Sequence, residues 1–406
     1  MSSIFVQIAS YRDPELVPTL HDLVDKADNP NDLRVCIAWQ HSEEDEWDNL
    51  DEFKDDDRFI ILDIDYKDSK GACWARAMLA ENYTDETYTL QLDSHHRFVD
   101  GWDTKSIEML ENLRKNGSKK PLLTSYIPSY DPSNEPEGRV GASWGMRFDR
   151  FIPEGAIFFL PYYMDGTETE PIPARFYSAH FCFTDGIFCK EVPHDPNLYF
   201  HGEEISIAVR AWTWGYDLFH PHEKIAWHEY TRKGRTKQWD DDSDWGNKNT
   251  KAHERVRKLL GVDGEVCTPC NKKSFQKYGL GTVRSLKQWE EHMGICFSDR
   301  SIQQSVSDNL PPMKRDEPYQ LKFRHPIEFN KNKLTHNDYT FAALIFEDEQ
   351  GNSIHREDIQ EDGVMSWLKQ DDIIMWKEYQ GKKAYKWIVW PHSKEHGWVD
   401  KIEVVL

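Results

Sequence analysis

Short apolar runs alternate with amphipathic segments along the N-terminal part of the chain. Four such runs are predicted to be strands, at residues 4–9, 33–39, 59–64 and 88–92. Leucines recur at helical spacing over residues 16–23, directly after Pro14, and residues 72–82 predict a second helix. Strands that alternate with helices in this way predict an α/β fold with a mostly parallel sheet.

The C-terminal half of the chain has a different pattern. Residues 202–214 predict one further helix, and residues 298–335, with two consecutive prolines and mixed charge, predict a linker. Four later runs are strand-like, at residues 339–346, 373–376, 384–390 and 399–405. We therefore expect a first domain at residues 1–297, a linker at 298–335 and a small C-terminal β module at 336–406.

Composition narrows the class of protein. The 406 residues include 50 Lys and Arg against 71 Asp and Glu, a net charge of −21. That charge argues against a broad nucleic-acid-binding face, although not against a local basic pocket. No apolar run approaches the roughly 18 residues that a membrane span needs, and seven scattered cysteines do not suggest a disulfide framework. We expect a soluble cytoplasmic protein without a membrane partner. Its oligomeric state is left open.

The triplet Asp93-Ser94-His95 is the first candidate for chemistry. It directly follows a predicted strand, and residues two apart in an extended chain point to the same side. A carboxylate and an imidazole on one side can share a divalent cation, which would neutralise a leaving diphosphate. An Asp-x-His triplet also occurs by chance, so the spacing alone does not decide.

Several segments in a fixed order resemble one enzyme family. They are Ile8-Ala9-Ser10-Tyr11-Arg12-Asp13, Ser69-Lys70-Gly71-Ala72-Cys73-Trp74-Ala75-Arg76-Ala77, Leu90-Gln91-Leu92-Asp93-Ser94-His95, Tyr278-Gly279-Leu280-Gly281 and Arg284-Ser285-Leu286. Together they resemble the cytoplasmic N-acetylglucosaminyltransferases that modify hydroxyproline and, more distantly, the mucin-type polypeptide N-acetylgalactosaminyltransferases. The resemblance implies a GT-A-like fold for the first domain, a UDP-sugar donor and a divalent cation, Mn²⁺ or Mg²⁺.

The resemblance to the mucin-type enzymes also implies a third metal ligand, His228, beside Asp93 and His95. The segment that supports this implication is His201-Gly202-Glu203-Glu204, followed by a helix and then Trp227-His228-Glu229-Tyr230. An imidazole from a distant loop would complete a three-ligand set and leave positions for diphosphate oxygens. The alternative is that His228 packs beside Trp227.

Two acidic residues join Asp93 and His95 in the expected catalytic set, namely Glu203 and Glu204. One of the two carboxylates would hold the sugar hydroxyls or orient the acceptor, and the sequence does not choose between these roles. Acidic residues are also favoured at the start of a helix by its dipole.

The expected donor-binding residues come from several segments. They are Ser10, Tyr11, Arg12, Gly71, Arg76, Ser94, Tyr230 and Arg232. The guanidinium groups of Arg12 and Arg76 would bind the diphosphate, unless they form surface salt bridges. Tyr11 would stack on the uracil, unless it belongs to the core. The basic run at residues 232–237 is either a solvated loop or a lid over the donor phosphates.

These expectations define one reaction and leave its acceptor open. We expect transfer of GlcNAc from UDP-GlcNAc to a hydroxyl group, by family analogy that of a hydroxyproline, Ser or Thr in a polypeptide. A modified DNA base, a small molecule or a glycan is an alternative acceptor, and an inactive sugar-nucleotide-binding module is an alternative function. The related families retain the configuration of the anomeric carbon, which a double displacement or a same-face attack would each produce. We favour same-face attack, because no carboxylate in the sequence is recognisable as a nucleophile.

A separate set of residues has a zinc-like arrangement. It consists of Cys267, Cys270, His292 and Cys296. Thiolates and one imidazole can form a closed tetrahedral site. The resemblance does not imply zinc, however, and four independent core or surface residues are the alternative.

Overall fold

A computed structural model describes residues 3–231, 234–265 and 275–406. The chain divides into two compact units, one formed by Met1–Arg300 with Ser305–Asp316 and the other by Ser301–Gln304 with Glu317–Leu406. No helix in these described ranges has both the length and the apolar character needed to cross a membrane.

The strands and helices of the described residues follow in chain order. The strands are β1 (Ile4–Tyr11), β2 (Leu33–His41), β3 (Phe59–Asp65), β4 (Tyr88–Asp93), β5 (His96–Phe98), β6 (Pro121–Thr124), β7 (Trp144–Phe151), β8 (Ile157–Tyr163), β9 (Ile172–Pro173), β10 (Phe181–Asp185), β11 (Asp217–His220), β12 (Ala226–His228), β13 (Ile295–Cys296), β14 (Ser301–Ile302), β15 (Gln320–Asn330), β16 (Tyr339–Glu347), β17 (Ser353–Gln360), β18 (Asp372–Gly381), β19 (Lys386–Ser393), β20 (Gly397–Trp398) and β21 (Ile402–Val405). The helices are α1 (Leu16–Asp25), α2 (Ala72–Ala80), α3 (Trp102–Lys115), α4 (Phe188–Glu191), α5 (Glu203–Thr213), α6 (Gln238–Asp241), α7 (Trp245–Leu260), α8 (Leu286–Met293), α9 (Gln304–Ser307) and α10 (Glu361–Trp367).

The first unit is built on an eight-stranded sheet in the order β3-β2-β1-β4-β10-β6-β11-β9. Strands β3, β2, β1 and β4 run parallel to one another, as do β6 and β11. Strand β10 lies antiparallel between β4 and β6, and β9 is antiparallel at one edge. The predicted α/β fold with a mostly parallel sheet is therefore confirmed.

Both faces of this sheet are buried, which explains why its strands read as nearly continuous apolar runs. Alternate residues of β1 point to opposite faces. Val6 packs in a cluster that includes Leu20 of α1 and Leu110 of α3, whereas Phe5 packs in another cluster with Leu79 of α2. Helices thus cover the sheet on both sides and leave its strand ends as the exposed edge.

The register of the sheet brings the candidate residues together. Ala9 of β1 lies opposite Asp93 of β4, so the segments that follow these two parallel strands leave the sheet side by side. Strand β12 pairs with β5, with His228 opposite His96, and this pairing carries His228 to the same edge. Ligands of open α/β sheets bind at the carboxyl ends of the strands.

The second unit is mostly antiparallel. Strand β16 lies between β17 and β19, which in turn pairs with β20 and β21. The range 298–335, predicted to be a linker, contains the eleven-residue strand β15, which pairs with β18 from Leu321 to Asn330. The range expected to be a linker therefore includes a paired strand. Most of the charged side chains of β15 remain accessible to solvent, and this polar composition resembles that of a linker.

Candidate active site

Asp93, His95 and His228 form a cluster whose candidate ligand atoms all lie within 4.8 Å of one another. Oδ2 of Asp93 lies 3.7 Å from Nε2 of His95 and 3.5 Å from Nε2 of His228. The Asp93 side chain keeps 27 % of its surface exposed, whereas the two histidine side chains keep less than a tenth. One carboxylate oxygen and two imidazole nitrogens thus lie close enough to share one ion, and Asp93 is the most exposed of the three side chains.

The state of His228 fits a metal ligand. Its side chain is buried, and Oδ2 of Asp93 lies at the long distance of 3.5 Å from its Nε2. Burial, and after it the charge of His95, lowers the pKa of His228 well below its ordinary value. A neutral, buried imidazole with a lone pair directed at a carboxylate costs free energy unless a cation or proton occupies the gap.

Arg76 connects this cluster to Glu203. Its Nη2 donates to Oδ1 of Asp93 at 2.6 Å and its Nη1 donates to Oε2 of Glu203 at 2.6 Å. Burial would raise the pKa of Asp93, but the Arg76 guanidinium and the neighbouring imidazoles hold it well below its ordinary value. Asp93 is therefore ionised at neutral pH, as a metal ligand must be.

Glu203 and Glu204 have different environments although they are neighbours at the start of α5. Glu203 is buried, and despite that burial Arg76 and His194 lower the pKa of Glu203 to about 2. The carboxylate of Glu204 accepts hydrogen bonds from the Ala179 amide and the Tyr126 hydroxyl. Burial raises the pKa of Glu204 to about 7. Glu203 is thus a fixed anion that holds Arg76, and Glu204 titrates near neutrality.

Asp13 is a site residue that the sequence analysis did not identify. Its Oδ2 accepts hydrogen bonds from Ser94 Oγ at 2.6 Å, from His95 Nδ1 at 2.8 Å and from Arg235 at 2.9 Å. Burial would raise the pKa of Asp13, but the charges of His95 and Arg235 lower it. A carboxylate at Nδ1 holds the proton there and leaves Nε2 free to bind a metal. The sequence signal that could have identified Asp13 is its position two residues after β1, since the end of β1 lies beside the end of β4.

Two clefts meet at the cluster. The first cleft, of about 150 Å³, is lined among others by Tyr11, Gly71 and Arg235, and the second, of about 260 Å³, by Glu204 and a set of aromatic side chains. Four residues line both clefts: Arg76, Asp93, Phe200 and His228. Two of the three candidate metal ligands, Asp93 and His228, therefore lie where the clefts join.

The expected donor-binding residues Ser10, Tyr11 and Arg12, at the end of β1 and just after it, differ in position. Tyr11 lines the first cleft, and its hydroxyl donates to Asp241 at 2.7 Å. The Arg12 side chain forms salt bridges with Asp45 at 2.7 Å and Asp241 at 3.1 Å, as in the surface alternative considered above. Ser10 is buried, and its carbonyl accepts from Gln40.

The remaining expected donor-binding residues are spread over both clefts. Gly71, Arg76 and Ser94 line the first cleft, whereas Tyr230 lines the second. Gly71 has a φ of 105°, and a Cβ there would lie 2.9 Å from Tyr199, so the start of α2 requires glycine. Arg232 lies outside the described residues.

Among the described residues of the basic run at 232–237, Arg235 contributes to the site. Besides its bond to Asp13, Arg235 contacts Nδ1 of His95 and lies 3.2 Å from Glu229. Thr236 and Lys237 line the first cleft. This part of the run is therefore anchored at the cluster.

The zinc-like set is not supported. Cys267 and Cys270 lie outside the described residues. The His292 ring packs on Trp212 with 5.7 Å between centroids, and Sγ of Cys296 lies 3.3 Å from the Ser298 hydroxyl. In the part of the chain that the structure describes, the metal-ligating side chains that cluster in threes are Asp93, His95 and His228.

Comparison with known proteins gives a family match and a fold match. The family model "Glycosyltransferase (GlcNAc)" matches residues 3–59 and 49–299. The crystal structure of GalNAc-T7 with UDP, GalNAc and Mn²⁺ is 13 % identical, with 96 % of this chain and 69 % of that chain covered and a TM-score of 0.52. The crystal structure of TarS from S. aureus is 9 % identical, with 100 % of this chain and 85 % of that chain covered and a TM-score of 0.40. No protein with a curated description matched the chain. The likeness to GalNAc-T7 confirms the predicted GT-A-like fold.

Proposed function

From the premise that the chain belongs to the Glycosyltransferase (GlcNAc) family, we propose that it transfers GlcNAc from UDP-GlcNAc to a hydroxyl group of a polypeptide, with hydroxyproline, Ser and Thr as candidate acceptors. The observation that carries this proposal is the junction of two clefts at Arg76, Asp93 and His228. A transferase must bring the reacting atoms of two substrates together, and two clefts that share lining residues can do so.

The donor is assigned to the first cleft. The start of α2, at Gly71 and Ala72, lines this cleft, and the N-terminus of a helix favours phosphate oxygens. Arg235 and Lys237 add positive charge to the same cleft. These groups would bind the diphosphate of UDP-GlcNAc, and Tyr11 would contact the nucleoside.

Asp93, His95 and His228 would hold a divalent cation. We propose Mn²⁺ rather than Mg²⁺, because Mg²⁺ prefers an all-oxygen, largely hydrated shell and this set offers two imidazoles. The crystal structure of GalNAc-T7 contains UDP and Mn²⁺. When bound, the cation would supply Lewis-acid stabilisation of the leaving diphosphate.

We assign the acceptor to the second cleft, which Glu204 lines. The other described carboxylates at the two clefts, Asp13, Asp93 and Glu203, are each engaged by cationic or imidazole partners. Glu204 is hydrogen-bonded to neutral groups only, among its described contacts. We assign Glu204 to orient the acceptor hydroxyl.

In the proposed same-face attack, the acceptor oxygen forms a bond to the anomeric carbon while the bond from that carbon to the diphosphate breaks. The departing diphosphate takes the acceptor proton. Arg76 and Arg235 would stabilise the developing negative charge electrostatically, and the aromatic walls of the second cleft would exclude water.

We also propose the cytoplasm as the location of the protein. Five described cysteines carry free thiols: Cys36, Cys73, Cys182, Cys189 and Cys296. Free thiols are typical of a reducing compartment.

Turnover with defined donors tests the proposed function. The protein is incubated with UDP-GlcNAc, UDP-Gal or UDP-Glc and Mn²⁺, and UDP release is measured; acceptor peptides containing hydroxyproline, Ser or Thr are then analysed by mass spectrometry. We expect UDP release to be fastest with UDP-GlcNAc, and a mass increase on one peptide class. Absence of UDP release with every donor would contradict the proposal, and UDP binding without UDP release would favour the inactive sugar-nucleotide-binding module.

A further inference from the structure

A groove in the first unit concentrates positive charge in a chain whose net charge is −21. It is lined by Lys70, Lys248, Lys251, Arg255 and residues 196–199, and no aspartate or glutamate is among its described lining residues. Three of the cations come from α7 at spacings of three and four residues, so they share one face of that helix. We call this surface the basic groove.

Nearby carboxylates neutralise only part of the charge of the basic groove. Lys248 lies 2.6 Å from Asp242, and Arg255 lies 2.6 Å from Asp195. Within residues 3–231, 234–265 and 275–406, the structure records no ion pair for Lys70 or Lys251. Both of these side chains are exposed. Two ammonium groups are thus left to attract an anionic partner.

We propose that the basic groove binds an acidic stretch of the polypeptide acceptor. The inference rests on the proposed function, because it names the class of polypeptide that the enzyme modifies. Separate ammonium groups suit separate carboxylates, which neighbouring Asp and Glu side chains of a peptide provide. The guanidinium of Arg255 is bound by Asp195 and packs 4.5 Å from the Phe275 ring centroid, so it does not offer the planar fork that favours phosphate.

The position of the basic groove connects it to the reaction centre. Tyr199 lines both the basic groove and the first cleft, and Phe200 lines both clefts. One continuous segment, residues 196–205, therefore borders the basic groove, the donor cleft and the acceptor cleft in turn. An acidic stretch bound in the basic groove would hold the rest of its polypeptide beside the acceptor cleft. The net negative charge of the chain would disfavour binding of the acidic stretch elsewhere on the surface.

Single-stranded nucleic acid fits this surface less well than an acidic peptide does. Binding of single strands combines positive charge with exposed aromatic rings on which bases stack. The aromatic residue that lines the basic groove, Tyr199, is buried.

Direct binding to the whole protein tests the inference. The probe is a fluorescein-labelled hexaglutamate peptide, and its anisotropy is measured at low and at high salt. We expect Lys70→Gln/Lys251→Gln to weaken binding about fivefold at low salt, since two exposed ion pairs are lost, and the difference to shrink as salt screens the charges. Lys119→Gln/Lys287→Gln changes the net charge equally at exposed sites away from α7 and the basic groove and should bind like the parent. Lys70→Arg/Lys251→Arg keeps the charge and should also bind like the parent.

Three results would overturn the inference: no salt-dependent binding of the peptide to the parent, an equal loss in the matched control variant, or tighter lysine-dependent binding of inorganic pyrophosphate or a dT12 oligonucleotide.

UDP release separates this inference from the proposed function. Lys70→Gln/Lys251→Gln should release UDP from UDP-GlcNAc at the parental rate, because neither lysine lines the first cleft. If the parent hydrolyses no donor, the proposed function fails, and the anisotropy data then report peptide binding alone.

Discussion

Asp13→Asn tests how His95 is prepared to bind a metal. The carboxylate of Asp13 accepts from Ser94 Oγ and His95 Nδ1, and from Arg235. Asparagine has nearly the same shape but replaces one carboxylate oxygen with an amide that donates. An amide facing Nδ1 would place the imidazole proton on Nε2, the nitrogen that lies 3.7 Å from Asp93 Oδ2. In that tautomer Nε2 of His95 has no lone pair for a cation, and the remaining lone pair is on Nδ1.

The expected magnitude follows from the position of Asp13 behind the candidate ligand. Removal of a partner that orients a metal-bound histidine weakens metal binding by about 10- to 100-fold. That range corresponds to about 1.4 to 2.7 kcal/mol. Asp13 lies behind one of three candidate ligands, so we expect Mn²⁺ binding to weaken within this range. Isothermal titration calorimetry of Mn²⁺ into parent and variant, with UDP present, measures it.

A matched variant separates the tautomer effect from simple loss of a hydrogen bond. Ser94→Ala removes the hydroxyl that donates to Asp13 at 2.6 Å but leaves the carboxylate beside His95. We expect a smaller loss of Mn²⁺ affinity for Ser94→Ala than for Asp13→Asn, with both variants folded by circular dichroism. If Asp13→Asn binds Mn²⁺ as tightly as the parent, Asp13 does not set the His95 tautomer, and the reasoning fails.

Three further substitutions test separate parts of the site. Asp93→Ala should abolish Mn²⁺-dependent UDP binding without unfolding the chain, and normal turnover would refute its assignment as a ligand. Glu203→Gln leaves the buried Arg76 without one of its carboxylates, so urea unfolding should show a loss of about 3 to 5 kcal/mol; a loss below about 1 kcal/mol would argue against a buried ion pair. Because the folded-state pKa of Glu204 is raised to about 7, the folded chain retains a proton that the unfolded chain releases, and the contribution of Glu204 to stability falls as pH rises from about 4.5 to about 7. Glu204→Gln should flatten this part of the pH dependence of the thermal midpoint, and an unchanged slope would contradict the assignment.

Much of the first unit could be predicted from local patterns. The apolar runs at residues 4–9 and 88–92 correspond to β1 (Ile4–Tyr11) and β4 (Tyr88–Asp93) because buried parallel strands require continuous apolar residues. The second unit was harder to predict, since a strand with one accessible face, such as β15, carries the composition of a linker. Strand β10 (Phe181–Asp185) is short, and its antiparallel place between β4 and β6 depends on partners distant in sequence.

The amino-acid sequence by itself determined the alternation of strands and helices and the placement of Asp93 and His95 at the end of a strand, because both depend on neighbours along the chain. Only the tertiary structure decided which distant groups face that strand end. It placed Asp13 and Arg235 behind His95. It also distinguished Glu203, paired with Arg76, from Glu204, which is hydrogen-bonded to neutral groups. Charge pairing and burial arise between segments that meet only in the folded chain, and for that reason no local pattern could separate these two adjacent carboxylates.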